Sequence, residues 1–157
     1  MPSFLISANI FVCERLLQEG DGVTTAIRLV DVFYIGSERP LGVPPEALPL
    51  IQGWGFAILK FVPSHNQEHV FEMKLINTIG ELSNLAEPMK QLVEPTPGLE
   101  NLPTGATLNI QLNVAVKRIG TCYLCVWIDG EEVARTPFSV VPKSGVQVPF
   151  VVPPQKE

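Results

Sequence analysis

No basic run occurs anywhere in the 157 residues, and eleven Lys plus Arg stand against sixteen Asp plus Glu for a formal charge of −5. The electrostatic footprint of a nucleic-acid binder is therefore missing. Long hydrophobic runs are missing too: none approaches the roughly 20 residues a membrane-spanning helix needs. Charged residues make up only 17% of the chain against an average of about 25%, while apolar residues reach 46%, a balance that excludes intrinsic disorder. Cysteine occurs three times, an odd number that fits free thiols in a reducing compartment better than a disulfide framework. The opening MPSFLISANIFVCERLL has no basic residue ahead of its apolar run and no small-x-small cleavage site. It reads as a first strand, and the cytoplasm is the expected location. GxSxG, Walker-type and GxGxxG strings are all absent, which leaves nucleophile-elbow and phosphate-cradle chemistry without a motif.

What the chain does have is alternation. From Ala106 to Lys117, Leu108, Ile110, Leu112, Val114 and Val116 face one way while Thr107, Asn109, Gln111, Asn113 and Ala115 face the other. Val70–Asn77 repeats the pattern, with Phe71, Met73 and Leu75 inward. Turn signals separate such segments. Glu19-Gly20-Asp21-Gly22 joins Phe4–Leu17 to Val23–Ile35, Ser64–Glu68 joins Trp54–Val62 to Val70–Asn77, and Asp129-Gly130 joins Cys122–Ile128 to Val133–Val141. Fifteen prolines collect in connections, at Pro40–Pro49, Pro95–Pro103 and Pro142–Pro154. Only Asn84–Val93 is a helical candidate, with Pro88 in a first turn. These features predict an all-β fold: a single antiparallel β-sandwich, immunoglobulin- or jelly-roll-like, with long proline-rich loops. It occupies residues 1–141 and is followed by an extended tail over 142–157.

The segment GTCYLCVWIDGEEVARTPFSV, Gly120 to Val140, combines a strand-opening Gly, inward Cys122, Leu124, Val126 and Ile128, an Asp129-Gly130 turn and a closing Pro137-Phe138-Ser139-Val140. With Ala8-Asn9, the first hairpin to Val30-Asp31-Val32-Phe33 and the Leu108–Val116 strand, it resembles a bacterial family of uncharacterised small all-β sandwich proteins, a domain of unknown function, over nearly the whole chain. The resemblance implies the fold and no activity. Asn9 stands where that family often has Asp, which removes a candidate carboxylate. Tyr123, Cys125 and Trp127 stand where the family tends to have polar residues, which adds an aromatic outer face.

Catalytic and metal-binding candidates are thin. His65 and His69 flank Glu68 in PSHNQEH, but His-x3-His converges on a helix, not in a hairpin loop, so a solvated tip is expected and no metal. Cys122 and Cys125 lie three apart in a strand, so their sulfurs diverge, and Cys13 has no neighbouring His to activate it. Gly53-Trp54-Gly55 precedes a strand, where Gly relieves crowding around the indole. Glu131-Glu132 sits in solvent beside a turn. No cofactor and no catalytic constellation are expected.

One surface stands out. With Cys122, Leu124, Val126 and Ile128 inward, Tyr123, Cys125 and Trp127 share the outer face with neighbouring Asn109, Gln111 and Asn113, an arrangement that a three-residue link from Ile119 to Thr121 gives and a two-residue link reverses. Mean hydropathy of +0.24 implies more apolar area than one core uses. The expected function is a non-enzymatic binding or assembly module with a protein partner, a homo-oligomer joined through this face. The tail, through Val148 and Phe150, is a candidate arm for strand addition to a neighbour. The alternatives are a carbohydrate platform on Tyr123 and Trp127, or a ligand or enzyme pocket rimmed by the Pro40–Pro49 and Pro95–Pro103 loops.

Overall fold

The computed structural model describes residues 1–20, 23–35 and 48–143, all strand, turn and loop. The strands run in order β1 (Leu5–Gln18), β2 (Thr24–Leu29), β3 (Val32–Ile35), β4 (Leu50–Phe61), β5 (Gln67–Ile76), β6 (Leu82–Asn84), β7 (Met89–Val93), β8 (Thr104–Ala115), β9 (Gly120–Ile128) and β10 (Glu131–Pro142). They form two sheets. One has four strands in the order β2-β1-β4-β8; the other has six, ordered β3-β10-β9-β5-β6 with β7 also on β5. All pairings are antiparallel except β3 with β10. No helix among the described residues is long and apolar enough to cross a membrane.

The inward rows meet between the layers. Ala57, Leu59 and Phe61 of β4, Phe71, Met73 and Leu75 of β5, and Cys122, Leu124, Val126 and Ile128 of β9 are buried in one apolar core. At about 25 cal/mol per Å² of apolar area removed from water, this is the main stabilising contribution to the fold. The opposite layer comes close at Gly55, where a Cβ would lie 2.6 Å from Leu124 Cδ2 across the core and 3.0 Å from Ile110 Cγ2 on the adjacent β8. Gly53 likewise faces Cys13 O at 3.0 Å and the Phe33 ring at 3.2 Å. Both glycines thus admit the opposite layer and a neighbouring strand.

Three expectations are corrected. Val23–Ile35 is two strands, because Arg28 adopts φ +53° and the chain leaves one sheet at Leu29 to join the other at Val32. Asn84–Val93 is not helical. Pro88 separates β6 from β7, and the two share one side of β5, opposite Lys74–Ile76 and Gln67–Phe71 respectively. Third, β8 and β9 do not form a hairpin: the short link after Lys117 carries the chain from one sheet to the other, and the Val116 N–H is held by the Pro49 carbonyl at 2.8 Å. The Asp129-Gly130 turn matches its expectation, with both residues at positive φ, +52° and +82°, as a two-residue hairpin loop of the type I′ class requires. Most of the Pro40–Pro49 loop and all but the first two residues of the 142–157 tail lie outside the described residues.

Candidate functional site

The crossover from β8 to β9 redistributes the expected interface. Tyr123, Cys125 and Trp127 lie on the outer face of the six-stranded sheet, whereas Asn109, Gln111 and Asn113 lie on the outer face of the four-stranded one, so these two groups are not neighbours. Val148 and Phe150 lie outside the described residues.

On the six-stranded sheet, β9 is central, and Cys125 stands opposite Lys74 on one side and Arg135 on the other. The Lys74 ammonium sits 4.2 Å from the Trp127 ring centroid and 3.3 Å from Glu72, while the Arg135 guanidinium lies 5.5 Å from that of Tyr123. A bulge between Glu132 and Ala134 puts Glu132 and Arg135 on the same face. Their bidentate ion pair, at 2.5 and 2.8 Å, follows from it, so Glu132 is not simply solvated. Cys125 is fully buried beneath this cover, and burial together with the Glu132 charge pushes its thiol up to about 11. Burial does the same to Cys122, on the core side, also to about 11. The two sulfurs diverge as strand geometry demands, and both thiols stay protonated at neutral pH. Trp127 Nε1 is buried with no hydrogen-bond partner among the described residues.

The outer face of the four-stranded sheet is different in kind. Register places Phe11 beside Phe56 and Phe56 beside Asn109; Cys13 lies beside Trp54 and Trp54 beside Gln111; Gln52 lies beside Asn113. No charged residue occurs in Asn9–Cys13, Gln52–Ile58 or Thr107–Asn113. Phe56 is 6% exposed and Cys13 0%, although neither belongs to the core between the layers. The amide row does border an aromatic surface, then, but it is Phe11, Trp54 and Phe56 rather than Tyr123 and Trp127. A signal for this was available: in Gly53-Trp54-Gly55-Phe56 the glycines take one face and the aromatics the other.

The histidines correct a further expectation. His69, at the start of β5, points inward and is 1% exposed. Its Nδ1 lies 2.6 Å from Asp129 Oδ2 and its Nε2 lies 2.7 Å from His65 Nε2. Asp129 also accepts the Val70 N–H at 2.9 Å. With the carboxylate accepting from Nδ1–H, the network assigns His69 Nε2 as acceptor and His65 Nε2–H as donor. Both imidazoles stack among Phe4 and Phe61, and the His69 ring meets Phe71 edge-on. Burial, then the neighbouring His69, lowers the His65 pKa. Burial works to raise the Asp129 carboxyl, but the bonds from Val70 and His69 together hold it below its ordinary 3.8. Ser64, at φ +62°, donates N–H and Oγ–H to the Glu100 carbonyl at 2.7 and 3.0 Å, tying the Pro95–Pro103 loop to this end of the molecule. The expected hairpin loop at PSHNQEH is instead the crossing from β4 in the four-stranded sheet to β5 in the six-stranded one, and its histidines form a stacked, hydrogen-bonded lock onto the β9–β10 turn, not a solvated tip. The Asp-His pair has the orientation of an acid–base dyad, yet the nitrogen that would serve as base is already engaged by His65.

Beside β8 the space between the layers opens into a groove of about 130 Å³, lined by Leu108, Asn109 and Ile110 on one side and by Phe71, Met73 and Met89 with the carboxylates Glu72 and Glu87 on the other.

No protein-family model matches the chain, and no curated protein matches it. Among solved structures, it is similar to part of the alkylpurine DNA glycosylase of Pseudomonas fluorescens bound to DNA containing an abasic site analogue. That likeness has 12% identity and a TM-score of 0.42 over 85% of this chain and 30% of that one. It is also similar to part of the beta-glucosidase of Listeria innocua in complex with isofagomine, at 10% identity and a TM-score of 0.46 over 93% of this chain and 17% of that one. The chain spans less than a third of the length of either protein.

Proposed function

We propose that the chain is a non-enzymatic binding and assembly module, its two layers a sandwich of the immunoglobulin or jelly-roll kind, which self-associates through the outer surface of its four-stranded sheet. One observation carries this reading: the charge-free sheet face on which the half-buried Phe11 and Trp54 adjoin the exposed Asn109, Gln111 and Asn113. Aromatics with few charges mark the core of interfaces, whereas solvated sheet faces carry Lys and Glu.

Light scattering coupled to size exclusion tests the proposal on wild type and on Asn109→Lys/Asn113→Lys. Both positions are exposed, so the fold tolerates the change. The expected result is a wild-type oligomer and a monomeric variant. A wild type that is monomeric at every concentration overturns the reading.

A further inference from the structure

The margin of the four-stranded sheet supplies the contact. We infer that two copies pair antiparallel along β8 about a two-fold axis through Gln111, joining their sheets into one of eight strands. This inference rests on the self-association proposed above and names its geometry.

Unpaired strand edges recruit other strands, and proteins blunt them with shortness, charge, proline or bulges. Four of the edges here are blunted: β3 has 4 residues and β6 has 3, β2 contains the positive-φ Arg28, and the 5-residue β7 carries Lys90. β8 is not. It has 12 residues with no charge and no proline, and its ladder with β4 is unbroken from Leu50↔Ala115 to Phe61↔Thr104. Among the described residues its other side has no strand partner.

Its sequence is also complementary to itself. Directly opposed residues in an antiparallel pair share a face, so a two-fold axis must pass through a residue. With the axis at Gln111, Leu108-Asn109-Ile110-Gln111-Leu112-Asn113-Val114 sets Ile110 against Leu112, Asn109 against Asn113 and Leu108 against Val114. Apolar residues meet apolar ones on the inner face and amides meet amides on the outer face. No register of like charges opposes it. The inward Ile110 and Leu112 of one copy then lie at the mouth of the groove that Leu108 and Ile110 of the other help to line. The aromatic rows at Trp54 and Phe56 continue across the axis with only one strand from each copy between them. A second copy satisfies all of these constraints together.

A charge-complementation experiment tests the axis. Gln111 is exposed, so Gln111→Lys and Gln111→Glu should both fold, but each places like charges on each other at the axis. Wild type is expected at twice the 17.2 kDa chain mass, each variant at one chain mass, and an equimolar mixture of the two back at twice that mass. If wild type associates and both variants keep its mass, the β8 contact is wrong while the self-association reading survives; Trp54→Ser then asks whether the face alone carries it. If wild type is monomeric, both fall.

Discussion

Replacing Asp129 by alanine tests whether the buried histidine pair is a structural lock. The carboxylate satisfies the Nδ1–H of His69, a side chain 1% exposed, through a 2.6 Å bond, and leaving a buried donor unpaired costs about 1–3 kcal/mol. The Val70 N–H also loses its partner, but it can rehydrate and contributes only about 0.5 kcal/mol. Alanine must also adopt the φ of +52°, at roughly 1–2 kcal/mol for a residue with a Cβ and no local hydrogen bond. The expected total is about 3–5 kcal/mol, a large share of the 5–15 kcal/mol typical of a domain. Asp129→Asn behaves differently. Asparagine tolerates the backbone and keeps the Val70 bond, and its amide can donate to Nδ1. His69 then donates from Nε2 to His65, so the relay reverses its direction without breaking, and the expected loss is about 1–2 kcal/mol, the difference between a charge-assisted and a neutral bond. Urea unfolding at neutral pH measures both changes as midpoint shifts at constant m. An alanine variant within about 1 kcal/mol of wild type, or an asparagine variant as damaged as alanine, would refute the account.

Acid sensitivity follows from the same cluster. His65 has a lowered pKa in the folded chain, so the unfolded chain takes the proton more readily. Stability is then fully present above 6.5 and declines as pH falls through the His65 titration. Asp129, held below 3.8 when folded, adds stability above that value and loses it on further acidification. Urea midpoints between about pH 7.5 and 5 should fall in wild type and less in His65→Gln, and a flat wild-type profile contradicts this. Gly55→Ala, whose Cβ would meet Leu124 at 2.6 Å and Ile110 at 3.0 Å, should cost about 1–3 kcal/mol by overpacking in the same assay. Cys122 and Cys125, with thiols near 11, should resist a disulfide-exchange reagent in the folded protein and react promptly in urea; prompt reaction when folded would show that the outer face opens. Trp127→Phe removes a buried N–H that has no partner among the described residues, and the relief should offset most of the lost contact, leaving stability within about 1 kcal/mol of wild type.

Period-two patterning made most of the strands legible, because a half-buried strand must alternate whatever its partner is. The inward rows on β5, β8 and β9 and the two-residue loop at Asp129-Gly130 all follow from local chemistry. What remained hidden depends on distant residues. His69 and Asp129 are 60 positions apart, and nothing in PSHNQEH announces that Phe4, Phe61 and a turn carboxylate will enclose its histidines. The same holds for the Glu132–Arg135 pair, since residues three apart in a regular strand face opposite ways and only the bulge reunites them. The break in Val23–Ile35 escaped because Arg28 carries no residue-type signal for positive φ.

The link between β8 and β9 had the largest consequence for the site. A few residues after Lys117 suffice either for a hairpin within one sheet or for a crossing between layers about 10 Å apart. Val116 decides between them: it is 3% exposed and is held by the Pro49 carbonyl, so β8 runs on alongside the start of β4 instead of turning back on itself. Gly120 then enters the other sheet at φ +146°. Because the chain crosses there, β9 becomes an interior strand and its aromatics are covered by Lys74 and Arg135, while β8 is left at a margin with its amides facing out. A hairpin would have paired one side of β8 with β9, and β4 already occupies the other. The crossing is therefore what leaves a 12-residue, charge-free strand with no strand partner on its second side among the described residues, and the proposed dimer depends on it.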